Sequence, residues 1–131
     1  MLLIGQEDPL RLSMFAPARL CVLQAIEVYL NAFLLFHGMT PQEIRAFQRG
    51  LTRRAEAAQE RGLGLKAKTL RNLAELEASR EYLLVRYAPE RGELMGLPRL
   101  FSTLDNVTRQ VRTAILQQPY AQDDPRFRRY W

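Results

Sequence analysis

The sequence predicts an all-α protein, an antiparallel four-helix bundle with room for an additional short helix. Three observations carry this. Apolar residues recur at helical spacing in four separate stretches, Gly and Pro divide those stretches, and no strand-like alternation of useful length occurs. The 131 residues suit a single domain that buries about two-thirds of its unfolded surface. The packed core is expected over about residues 17–117, with 118–131 as a tail.

Asp8-Pro9 can cap a short turn over Pro9–Met14 before Pro17 resets the chain. The first long helix is then expected from Pro17 to His37, with Gly38 just past its end. Ala18–Gly38 is apolar on nearly every side except a strip of Gln24, Glu27 and Asn31, as a helix enclosed at the centre of a bundle would be. The same stretch is long enough to suggest a membrane span, but three polar residues interrupt it. A charged Glu at mid-span is costly, so a core helix and no membrane contact are expected.

Thr40-Pro41-Gln42-Glu43 is a capping-box signature with proline at the first helical position, and it starts the second helix. Ile44, Phe47, Leu51, Ala55 and Ala58 keep helical spacing as far as Gly62 and Gly64. The third helix is expected over Lys66–Tyr87, with Leu70, Leu73, Leu76 and Leu84 on one stripe and Ala88-Pro89 as its stop. The fourth, Pro98–Gln117, carries Leu100, Leu104, Val107, Val111 and Ile115. The tail Tyr120–Trp131 has no period and mixes aromatic residues with arginines, a composition common in subunit contacts.

Charge is distributed unevenly. The whole net charge of +5 lies between Gln42 and Asn72, while the rest of the chain balances at eleven residues of each sign. Such a local excess points to an anionic partner. With Cys21 as the only cysteine no intramolecular disulfide can form, which fits a reducing cytoplasm. Within an apolar helix Cys21 reads as a small buried hydrophobe. One His and one Cys make a metal site of the common kind improbable, and no cofactor motif is present.

Ala25-Ile26-Glu27-Val28-Tyr29-Leu30-Asn31-Ala32-Phe33-Leu34 resembles the long helix of HEPN domains, which often reads A-I-E-x-Y-L-K-A-x-L. Ile44–Leu51 falls where such domains carry L-x-x-L-G-H-D-L, and Leu84-Val85-Arg86-Tyr87-Ala88-Pro89 is similar to their I-R-Y-P ending. The resemblance covers about Ala18–Pro89. It implies an all-helical domain, often a homodimer, that binds RNA or nucleotides or pairs with a nucleotidyltransferase-type protein in a two-component toxin–antitoxin system. Many members are ribonucleases using an arginine, four to six residues and a histidine. Here no histidine follows His37, Arg49 stands where the family places one, and none of Leu30, Asn31 or Ala32 is an arginine. The resemblance therefore implies a member without the nuclease motif.

The residues themselves offer two candidate sites. Arg45, Arg49 and Arg53 are four apart and would line one edge of the second helix, with Arg54 beside them and Lys66 and Lys68 extending the patch around the next turn. Guanidinium groups suit bidentate phosphate contact, although a solvated helix face has the same pattern. The second candidate is a polar cleft of Glu27, Asn31 and Arg80. Arg80 falls on the apolar stripe of the third helix, and a buried arginine needs a carboxylate; the plainer reading has Glu27 and Asn31 facing water and Arg80 snorkelling outward. His37 closes the first helix, where the dipole favours a cation and a structural role. A ribonuclease using His37 or the Glu27/Arg80 cleft and a purely structural interaction module are the alternatives to a binding protein.

Overall fold

The computed structural model describes residues 9–79 and 95–117, with side chains from residue 17 onward. Its regular structure is entirely helical among those residues: α1 (Pro9–Phe36), α2 (Pro41–Arg45), α3 (Leu51–Glu60), α4 (Ala67–Ala78) and α5 (Leu97–Leu116).

The expected break at Pro17 does not occur, and α1 runs through it as a single helix of 28 residues. Proline has a φ already close to helical, so the chain can pass at the cost of one i−4 hydrogen bond. The far end of α1 follows expectation closely. Gly38 takes φ 92°, Met39 N–H donates to the Leu34 carbonyl at 3.0 Å and Gly38 N–H to Leu35 at 3.0 Å. This double-bonded stop is the Schellman arrangement, and Met39 and Leu34, at the two positions that such a stop brings together, are both buried. α3 ends the same way at Gly62, with Leu63 N–H donating to Ala58 at 3.0 Å.

The single second helix expected from Thr40 to Gly62 is in fact two. The capping box forms as the sequence predicts: Glu43 N–H donates to Thr40 Oγ1 at 3.2 Å, and Thr40 N–H to Glu43 Oε1 at 3.1 Å. α2 then lasts only five residues, and a turn over 46–49 follows. In it Gln48 adopts φ 52° and Gly50 N–H donates to the Phe47 carbonyl at 2.8 Å. Gly50 is required by space. A Cβ there would stand 3.0 Å from the Phe47 carbonyl oxygen and 3.3 Å from Glu77 Oε1.

That last contact also places the start of α3 against the end of α4, so the two helices form an antiparallel hairpin. α4 and α5 are likewise antiparallel, joined by a row of polar contacts. Arg99 pairs with Glu75 at one end, Asn72 donates to Thr103 at 3.0 Å, and Asn106 Oδ1 accepts from Thr69 Oγ1 at 2.6 Å and from Lys66 N–H at 3.1 Å. Asn106 thus caps α4 from a different helix, satisfying a donor that no local side chain reaches. α1 packs on α5 and α3, and Arg19 donates to the carbonyl of Met95 just before α5.

The core is formed by Ile26, Leu30, Phe33 and Leu34 of α1, Leu73 of α4, and Leu100, Val107 and Val111 of α5. Each such side chain contributes roughly 1.5–3 kcal/mol on leaving water. α1 is not enclosed, however. Cys21 and Ala32 are exposed, Val28 is 61% exposed and Leu35 48%. At 3.6 residues per turn these four share one face, and Ile26 and Leu30 lie on the opposite one. The helices packed on α1 among the described residues leave one side of it open, and Cys21 lies at the surface there rather than buried. Pro17–Phe36 has the length and apolarity to cross a membrane, with 39% of its most apolar window buried inside the fold.

Candidate functional site

The polar strip of α1 does meet a buried arginine, and that arginine is Arg54. Its side chain leaves the first turn of α3 and passes inward, leaving the residue 2% exposed. Nη2 lies 3.1 Å from Glu27 Oε1, Nε donates to Asn31 Oδ1 at 2.8 Å, and Nη1 reaches the Gly50 carbonyl at 3.4 Å. The guanidinium also lies 5.7 Å from the centre of the Phe47 ring, within cation–π range. Burial pushes its pKa below the usual arginine value, and the Glu27 and Glu77 carboxylates oppose that shift. Arginine remains charged under such pressure. Arg54 therefore leaves the predicted surface stripe and becomes an internal tie between α1, the 46–50 turn and α3. Arg80, the partner expected for Glu27, lies outside the described residues.

The other arginines stay at the surface, though not along one helical edge. Arg45 ends α2, Arg49 sits in the turn and Arg53 lies in α3, all three exposed. The turn at Gln48 breaks the four-residue spacing that made them a single row. Lys66 and Lys68 are exposed as well, but at the opposite end of the α3–α4 hairpin. α3 has ten residues, so the two basic clusters are separated by about 15 Å along it. The predicted continuous patch is therefore two patches.

What the fold adds is a cleft. Its volume is about 710 Å³, and it opens between α1, the 46–50 turn and α4. Leu23, Phe47, Leu51 and Leu76 form its apolar surface, and Gln24, Glu27, Gln48, Arg49, Arg53 and Glu77 its polar one. The two candidate sites of the sequence, Arg49 and Arg53 on one side and Glu27 on the other, thus share one depression. Asn31 stands behind it, held by Arg54. Glu77 had no place in either candidate, because in the sequence it reads, with Glu75 and Glu81, as one of several scattered solvated carboxylates. The signal that could have found it is Gly50, whose bare Cα lets the Glu77 carboxylate approach the turn.

His37 is elsewhere. Its ring stacks 4.3 Å from Phe33 and meets Phe36 edge-on at 5.5 Å, and Nε2 is buried with no hydrogen-bond partner among the described residues. These contacts are those of a packed side chain at a helix end. Chemically, the cleft offers two cations, two carboxylates, two amides and an apolar surface that includes an aromatic ring. That combination can hold a ligand by charge, by hydrogen bonds and by contact with a flat face. No family model matches the chain, and no curated protein and no solved structure is significantly similar to it.

Proposed function

We propose that this chain is a HEPN-like binding domain without catalytic machinery of its own, which takes a phosphate-bearing ligand, an RNA segment or a nucleotide, in the α1–α3–α4 cleft. The observation that carries this reading is the position of Arg49 and Arg53 on a cleft lined by Phe47 and Leu51. Guanidinium forks match phosphate oxygens, and an aromatic and apolar surface suits the face of a base. Arg45 lies just outside and adds to the local positive field. The test is retention of labelled single-stranded RNA at low and high salt, by the wild type and by an Arg49→Glu, Arg53→Glu variant. Retention without cleavage is expected, with a negative salt slope of about 0.7 per phosphate neutralised. Undiminished retention by the double variant, or cutting of the RNA, overturns the reading.

A second reading concerns partners. Val28 and Leu35 on α1, together with Phe101 at 50% exposed on α5, are large apolar side chains left in water. A homodimer formed across α1, or a helical face of a nucleotidyltransferase-type companion, would cover them. Sedimentation of the wild type and of Val28→Asp separates these possibilities from a monomer. Loss of a wild-type dimer in the variant is the expected result, and a wild type that stays monomeric at every concentration rules the homodimer out.

A further inference from the structure

The geometry points to guanine as the base that the cleft selects, with Glu77 as the residue that reads it. This rests on the nucleotide reading of the cleft and goes beyond it by naming the base. Glu77 is a carboxylate acceptor on the cleft that acts on Arg54 by charge but receives no hydrogen bond from it. The Glu77 side chain is half-buried and lines the cleft, and it makes no hydrogen bond among the described residues. The other carboxylate there, Glu27, is already committed to Arg54 at 3.1 Å. An ionised carboxylate only accepts hydrogen bonds, and its two oxygens are satisfied best by two parallel N–H groups.

Among the four RNA bases only guanine offers that pair on its Watson–Crick edge, as N1–H beside the N2 amino group. Adenine and cytosine each place a ring-nitrogen lone pair beside their amino group, so one carboxylate oxygen would face a lone pair. Uracil has one N–H flanked by two carbonyl oxygens, both of which repel a carboxylate. Unstacked bases are commonly read by this edge while a face rests on an aromatic ring, and here Phe47 lines the same cleft. Arg53, exposed on the same cleft, is the cation for the phosphate. The chemistry recognised is a guanine nucleotide, whether free or within a strand.

The experiment is calorimetric titration of the full chain at low salt with GMP, IMP, AMP, CMP and UMP. A bidentate base contact gives roughly 5- to 150-fold discrimination, so GMP should exceed AMP, CMP and UMP by that factor. IMP keeps N1–H but lacks the amino group, and it should fall between GMP and AMP. Glu77→Gln, checked by thermal melting to be folded, supplies the sharper readout. An amide is both donor and acceptor and complements adenine, so this variant should lose the GMP preference and gain affinity for AMP. A residue that only supports the fold would weaken all five ligands together. An oligoadenylate with one internal guanosine, titrated beside GMP, separates the two sources. Tighter binding of the oligomer identifies a strand, and equal binding identifies the free nucleotide. Equal affinity for all five mononucleotides overturns the guanine assignment and leaves the nucleotide reading standing. Failure of all five and of the oligomer overturns both.

Discussion

Arg54 and Glu27 are joined at 3.1 Å but unequally buried, with 3% of the arginine side chain and 34% of the glutamate side chain exposed. The cation belongs to the interior, and the anion stands at the cleft wall with partial access to water. Removing either partner therefore has a different consequence, because a stranded charge costs free energy only where water cannot reach it. The pair also joins fold and site, since Arg54 holds the Gly50 carbonyl that shapes one end of the cleft.

The first prediction is this asymmetry. Glu27→Ala takes from a buried guanidinium its ion-pair partner, leaving Asn31, the Gly50 carbonyl, the Phe47 ring and the charge of Glu77, and it should destabilise by about 3 kcal/mol, near the range for a broken buried pair. Arg54→Met removes the buried charge, keeps the aliphatic bulk and lets Glu27 hydrate, so about 1–2 kcal/mol is expected. Urea melts of both variants decide the matter. If Arg54→Met proves the more damaging, Arg54 is not a buried charge that depends on Glu27.

Two substitutions in the 46–50 turn should act in opposite directions. Gly50→Ala drives a methyl group against the Phe47 carbonyl and Glu77, at 3.0 and 3.3 Å, and should cost about 1–3 kcal/mol as overpacking. Gln48 holds φ 52°, where a side chain costs about 1–2 kcal/mol, and Gln48→Gly relieves this at some expense in unfolded-chain entropy. A net gain of about 0.5–1 kcal/mol is expected, read as a higher urea midpoint at unchanged slope. A loss in Gln48→Gly would mean that the turn is not the strained element.

Cys21 provides a native reporter of the open face of α1. Its thiol is exposed, so a disulfide reagent should label the folded protein in dilute solution about as fast as the unfolded chain. Labelling that waits for denaturant would place Cys21 inside. Slower labelling at higher protein concentration would locate self-association on this face.

Much of the fold was legible because its determinants are local. Thr40, Pro41 and Glu43 lie within one turn, and their cap forms as written; Gly38 and Gly62 stand where helices must stop, and both adopt the left-handed angle. The α5 stripe is the same kind of signal, and Leu100, Val107 and Val111 are all in the core. The break between α2 and α3 was hidden because Ile44, Phe47 and Leu51 keep helical spacing across it, so only Gly50 marks the turn. Arg54 was misplaced for a related reason. Charge alone does not say which of several arginines a half-buried carboxylate will choose, and that choice depends on how the turn rotates α3 against α1. Glu77 enters the cleft through a tertiary contact that no spacing along the chain encodes.

The cap at Thr40 carries a pH dependence whose sign can be worked out. Glu43 accepts a hydrogen bond from the Thr40 backbone N–H and is favoured further by the Thr40 hydroxyl, and these hold its carboxyl below the usual glutamate range, Arg61 adding a smaller pull. A carboxyl whose folded pKa is depressed binds protons more readily in the unfolded chain. Its contribution is therefore complete above the ordinary glutamate pKa and is lost as pH falls through its own lower value. The Thr40 amide proton, which donates to this carboxylate, should shift along a titration curve with that lower midpoint in an NMR series. In Glu43→Gln the box can still close through the amide oxygen, so the same proton should show no step over the carboxylate range. A wild-type midpoint at or above that of glutamate in an unstructured peptide would mean that the carboxylate does not hold the cap in solution, and α2 would then rest on Thr40 and Pro41 alone.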